Sequence, residues 1–235
     1  MRTQLSKIVL AAGITLALAL TLSCSGIDGG KVEIGGKTWM AKNLDINVPG
    51  SRCYGEGSDS EIQDNCIKYG RLYSWATAMA LPSKCDSVLS TNDAECAIKT
   101  PHHRGICPKG WHIPSNAEWD DLYRNADGTN GTESPYDSPS AGKYLKAREG
   151  WDDCGPLGSG KSYFCEDTKG FAALPGGGGK ADDSFVEMGN LGYWWSSFSN
   201  EASYAHFREI DHSNDGARWH NNSKTNLYSV RCVKD

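Results

Sequence analysis

The sequence predicts an α+β fold braced by disulfides, and three observations lead there. Residues 115–124 spell a capped amphipathic helix. Residues 69–81 carry an apolar stripe at helical spacing. Beyond Gly170 the chain breaks into short strand-like runs separated by turn residues. A helical first part and a strand-rich last part read as α+β, with two main helices and a sheet.

The helix from Ser115 is the best-specified element. Ser115 and Glu118 stand three apart before an apolar repeat, the spacing of a capping box. The serine oxygen takes a free amide of the first turn, and the glutamate returns to the amide of Ser115. Pro114 blocks helix on the N-terminal side. Trp119, Leu122 and Tyr123 then form one apolar face, with Asp120, Asp121 and Arg124 on the other.

The remaining elements follow in chain order. KVEI, Gly35-Gly36 and KTWMAKNL read as a β-hairpin, because a Gly-Gly turn accepts the positive φ that two-residue hairpins need. Residues 53–66 form a polar loop between cysteines. In residues 69–81, Leu72, Trp75, Ala76, Met79 and Ala80 fall on one helical face and Pro82 ends the helix. A second cysteine-bounded loop spans 85–96, and a short helix is expected over 141–148. FAALPGGGGK holds four consecutive glycines, read as a mobile loop or a close backbone approach. GYWWSSFS, SYAHFREI, ARWHNN and NLYSVRCVKD are expected strands. In the last, Tyr228, Val230 and Cys232 share a face.

The first 23 residues read as a processing signal. Arg2 and Lys7 precede an unbroken apolar run, Ile8 to Leu22, which ends at Ser23-Cys24. This resembles a bacterial lipoprotein signal, which implies lipidation of Cys24, export, and attachment at the outer membrane or cell surface. An ordinary secretory signal or an N-terminal anchor is the alternative. Residues 24–30 would be a flexible tether and 31–235 one domain. The net charge of −5 and the lack of a basic stripe argue against a nucleic-acid partner.

Nine cysteines become eight once Cys24 is set aside, an even number in a chain read as exported. Cys53/Cys66, Cys85/Cys96 and Cys154/Cys165 are sequence-local pairs. Cys107 and Cys232 remain, and a bridge between them would fasten the last strand to the capped helix. Zinc is the rival use, but no CxxC pair exists to seed a site.

TWMAKNL, GRLYSWATAM, CPKGWHIPSNAEW, GFAALPGGG, YWWSS and SVRCVKD, in that order, resemble the Fibrobacter succinogenes major paralogous domain. That family consists largely of exported bacterial proteins without an established activity. WHIPSNAEW and SVRCV are also similar to the formylglycine-generating-enzyme and C-type-lectin-like group. The resemblance implies a C-type-lectin-like fold: two helices, joined termini, and a mixed, mostly antiparallel sheet with long disulfide-stapled loops. It also implies a bond between a cysteine near a helix and one in the last strand, as for Cys107 and Cys232. The calcium motifs of sugar-binding C-type lectins are absent. The oxidase relatives use late cysteines and a metal site, and only Cys232 matches, so oxidase activity is not implied.

Several motifs invite a chemical reading. Residues 155–162, GPLGSGKS, match a phosphate-loop pattern, but WDDC before and YFCED after are not the buried strand and helix it needs, so no nucleotide is expected. Asp211, Ser213 and Asp215, with Gly216, have the opening spacing of a calcium loop. The twelfth position is Asn222 rather than Glu, and a polar hairpin turn is favoured. No cofactor is otherwise expected. His102 and His103 should diverge, whereas His206, His212 and His220 could approach one another across strands. The paired acids and the chain as a whole offer no catalytic constellation.

Surplus aromatics point to binding. Adjacent Trp194 and Trp195 must face opposite ways on a strand, so one could point outward. Trp219, His220, Asn221 and Asn222 combine a ring with amide donors, a platform for a sugar or a peptide, with Gly176–Gly179 as an adaptable rim. The expected function is a surface-anchored, non-catalytic binding module for polysaccharide or a surface protein. A loop-assembled hydrolase or oxidase, or a purely structural envelope protein, is the alternative.

Overall fold

The computed structural model describes residues 30–55, 57–89, 91–128, 137–155, 158, 160–161 and 163–235. Residues 1–29, which hold the expected processing signal, Cys24 and most of the expected tether, lie outside these residues. No described helix is long and apolar enough to cross a membrane.

The first strands, β1 (Lys31–Ile34) and β2 (Lys37–Met40), form the expected hairpin. Gly35 and Gly36 both take positive φ, 61° and 74°, which a two-residue turn of this hand requires. After them come α1 (Asp59–Tyr69), α2 (Trp75–Ala78), β3 (Trp111–His112), α3 (Asn116–Asp127) and α4 (Ala141–Leu145). The C-terminal half holds β4 (Cys154–Gly155), β5 (Tyr163–Phe164), β6 (Gly176–Gly179), β7 (Phe185–Met188), β8 (Leu191–Trp195), β9 (Tyr204–Asp211), β10 (Ala217–Ser223) and β11 (Val233–Lys234). One sheet has the order β1-β2-β11-β3, so the last strand lies beside the first hairpin. The second runs β10-β9-β8-β6-β7, antiparallel except for β6 with β8. The fold is α+β with mixed, mostly antiparallel sheets.

The capping box of α3 forms as read: Ser115 Oγ accepts from the Glu118 amide, and Glu118 Oε2 accepts from the Ser115 amide at 2.9 Å. Gly128, in the left-handed conformation, ends the helix. The helix expected over residues 69–81 is different. Gly70 (φ 79°) interrupts it, residues 71–73 are extended and bridge to Arg52 and Tyr228, and only Trp75–Ala78 is helical. Leu72, Trp75, Ala76 and Met79 are still buried, but Ala80 is exposed at positive φ. The second long helix is instead α1, which begins inside the segment read as a polar loop and runs three residues past its end. Its own capping box, Ser58 with Glu61, marks the start.

Four disulfides join Cys53–Cys66, Cys85–Cys96, Cys107–Cys232 and Cys154–Cys165. Cys107–Cys232 spans 125 residues and ties the segment before β3 to the segment before β11.

Two apolar cores flank the five-stranded sheet. Trp194 packs in the core that contains Trp39, Trp119 and Phe171, while Trp195 packs in the other with Trp75, Phe207, Tyr228 and Val230. The two tryptophans do face opposite ways, but both sides are covered and they are 1% and 0% exposed. Neither is a ligand platform. The glycine run is likewise no adaptable rim. It is the buried strand β6, where a side chain would meet the Val186 carbonyl at Gly177 and the Tyr228 ring at Gly178.

Much of the remaining chain is loop, and buried cations hold it. Lys224 Nζ donates to the carbonyls of Cys85, Val88 and Ala202 and lies 4.6 Å above the Trp75 ring. Arg231 grips Asn43 Oδ1 and the carbonyls of Phe171 and Ala172 over the Phe171 ring. Carbonyls outside regular ladders need donors, and these side chains supply them.

Candidate functional site

A groove of about 560 Å³ opens beside the first turn of α3. Its walls are residues 98–101, residues 115–117 and residues 197–199. Each wall is placed by a separate constraint. The Cys85–Cys96 bridge lies just before the first. The capping box fixes the second. The third is held where the Ser197 amide donates to the Pro114 carbonyl at 2.9 Å.

Behind the groove lies a polar relay. Ser196 Oγ donates to Asn116 Oδ1 at 2.8 Å, and Asn116 Nδ2 is 2.9 Å from His206 Nδ1. Arg208 Nη2 donates to the Asn116 carbonyl at 3.0 Å and to Asp120 Oδ1 at 2.8 Å. Burial, with Arg208 adding its charge, lowers the His206 pKa. A neutral His206 accepts the Asn116 amide, so that link of the relay is made at neutral pH, while the buried Arg208 Nε finds no partner among the described residues.

The rim is aromatic. Phe198 is 44% exposed and meets the His206 ring edge-on at 4.7 Å; on its other side His206 stacks on Trp219 at 4.6 Å. Phe198, His206 and Trp219 therefore form a continuous row of rings, in which Phe198 lines the groove, His206 is buried and Trp219 is half-buried at the far end. The groove walls themselves carry Thr100, Ser115, Asn116, Ser197 and Ser199, with Lys99 as the charged group.

The expected Trp219–Asn222 platform divides across the sheet. Trp219 pairs with Arg208 and His220 with Phe207, so alternate residues go to opposite faces. Trp219 and Asn221 lie on the α3 side. His220 and Asn222 lie on the other, where Asn222 Nδ2 donates to the Tyr228 hydroxyl at 3.0 Å. His206 and His220 are separated by the same alternation and do not converge with His212. The histidines that do meet are His102 and His112, whose rings stack at 4.3 Å. Phe198 and this stack went unread in the sequence; only the run of aromatics after Trp194 hinted at the first.

Asp211 ends β9, and Ser213 and Asp215 lie in the β9–β10 turn. Ser213 donates to Asp211 Oδ1 through its amide and its hydroxyl, at 2.8 and 2.9 Å. The Lys146 ammonium donates to the Asn214 carbonyl at 2.6 Å, and burial brings its pKa down to about 8. The polar hairpin turn that the sequence favoured is present, and the Lys146 ammonium stands beside it. The phosphate-loop pattern is flanked by β4 and β5, and no helix follows it; several of its residues lie outside those described.

Fold and groove together define a disulfide-braced α+β domain with a preorganised, aromatic-rimmed cleft. The sequence pattern of the Fibrobacter succinogenes major domain matches residues 32–234. The chain belongs to that family. No match was found among curated proteins or among solved structures.

Proposed function

We propose that this protein is an exported, lipid-anchored binding module whose ligand is a polysaccharide, held without catalysis in the groove between residues 98–101, 115–117 and 197–199. The carrying observation is the exposed Phe198 ring, backed by the buried His206 and then by Trp219, beside a wall of hydroxyl and amide groups. Sugar rings stack on aromatic faces, and their hydroxyls exchange hydrogen bonds with such groups. Among the described groove-lining residues Lys99 is the charged group and no pair of carboxylates stands there, which favours binding over hydrolysis. The apolar leader and Cys24 support lipid anchoring at the cell surface. A lectin-like assignment draws support from the joined first and last strands and the Cys107–Cys232 bridge. Calcium has no part in this reading.

The test is retention of the soluble domain, residues 24–235, on insoluble polysaccharides and a glycan array. Phe198→Ala should lose most retention while keeping the melting temperature, because an exposed ring contributes little to the core. Retention unchanged in that variant would contradict the groove. Retention by a surface protein instead, lost with the same variant, would keep the groove and change the ligand class.

A further inference from the structure

We propose a transition-metal site formed by His102, His112 and Asp235, with Glu118 as the carboxylate that orients His112. One ligand atom from each of the three residues lies within 4.8 Å of the others. His112 Nδ1 faces Asp235 Oδ1 at 2.7 Å, and His112 Nε2 faces Glu118 Oε1 at 3.0 Å. A metal-bound histidine commonly gives its other ring nitrogen to a carboxylate, which sets the tautomer and the ring plane. Glu118 is itself held by Ser115, at 2.9 Å from both its amide and its hydroxyl, and by Lys37 Nζ at 3.3 Å. His112 is therefore a fixed, 1%-exposed ligand on rigid elements, and His102 is an exposed one on a loop.

Imidazole nitrogens with one carboxylate suit zinc, copper or nickel rather than calcium. Tetrahedral zinc holds its nitrogen and oxygen ligands about 2.0–2.2 Å away, so ligand atoms would stand roughly 3.3 Å apart. Two adjustments reach that spacing. His102 would turn out of its stack with His112 so that a ring nitrogen, not its face, meets the metal. Asp235 retreats slightly from His112 Nδ1 as the metal replaces the proton there, which leaves to solvent. Water would complete the set. His102 directly follows the groove wall of residues 98–101, and Glu118 follows the wall of residues 115–117. The metal would clasp these two walls together. The site stands whether or not the groove holds polysaccharide.

Titration of the untagged soluble domain with zinc(II), followed by calorimetry, and with cobalt(II), followed by visible absorption, tests this. One equivalent should bind, with a raised melting temperature and the intense visible bands of low-coordinate cobalt. His102→Ala should weaken binding at least tenfold and remove those bands, while His103→Ala, whose ring meets the Met79 carbonyl at 2.8 Å, should leave them. His102 is exposed, so its variant should fold. Absence of stoichiometric binding, or binding undiminished in His102→Ala, would overturn the site.

Discussion

Glu118 caps α3 and also receives His112 and Lys37, so one buried carboxylate joins β3, α3 and the first hairpin. Its folded-state pKa falls to about 2 despite the opposing cost of burial, because His112 and the Ser115 donors favour the charged form. A lowered acid contributes stability above its unfolded value near 4.5 and loses it as pH falls toward 2. The difference is worth about 3 kcal/mol. His112 carries the opposite sign. Its pKa is raised by the two carboxylates against the cost of burial, so its contribution is complete below about pH 6.5 and fades as pH rises through the folded value. This node should therefore hold best between about pH 4.5 and 6.5. Glu118→Gln should cost about 3 kcal/mol at neutral pH and flatten the loss between pH 5 and 2, read by urea denaturation across pH. An unchanged acid limb in the variant would show that the charge is not held as described. The capping role of Glu118 was legible because Ser115 is three residues away. Its bond to Lys37 crosses 81 residues, and no local pattern reports that.

β6 and β8 show how far a local pattern carries. Period-two alternation correctly sends Trp194 and Trp195 to opposite faces. It does not reveal that residues 73–79 and 227–232 cover the second face, so the expectation of an outward ring failed. The same long-range packing explains the glycines. Gly177 has φ 61°, and a Cβ there would lie 2.3 Å from the Val186 carbonyl and 2.7 Å from the Met188 amide. Gly179 is more tolerant, because its nearest neighbour is the flexible Leu227 side chain at 3.0 Å. Gly177→Ala should destabilise by roughly 1–3 kcal/mol or more, and Gly179→Ala by less. Thermal denaturation of the two variants checks the order, and equal losses would contradict a backbone clash at Gly177. The misplaced helix has a related cause. The stripe from Leu72 to Met79 is apolar at helical spacing, yet tertiary pairing of Tyr73 with Tyr228 takes its first residues. Ser58 and Glu61 had the same spacing as the box of α3 and could have located α1 from sequence.

At the scale of the molecule, the joined ends and the Cys107–Cys232 bridge close the domain. In the chain-entropy view, a bridge spanning 125 residues contributes at the upper end of the usual range, about 4–5 kcal/mol. Replacing both cysteines by alanine should cost about that much in denaturant at fixed pH, whereas loss of the short Cys85–Cys96 loop should cost less. Cysteine count and spacing made all of the pairing readable, since local pairs left one long-range bridge. The groove was not readable, because its walls come from three distant segments and its row of rings from strands whose register the sequence does not state. That groove is the centre of the functional account. Its most direct test is amide and indole chemical-shift mapping of the isotopically labelled domain during titration with soluble oligosaccharide fragments of a retained polysaccharide. Shifts should concentrate at residues 98–101, 115–117 and 197–199 and at the Trp219 indole. Shifts centred on His220, Asn222 and Tyr228, across the sheet, would contradict it.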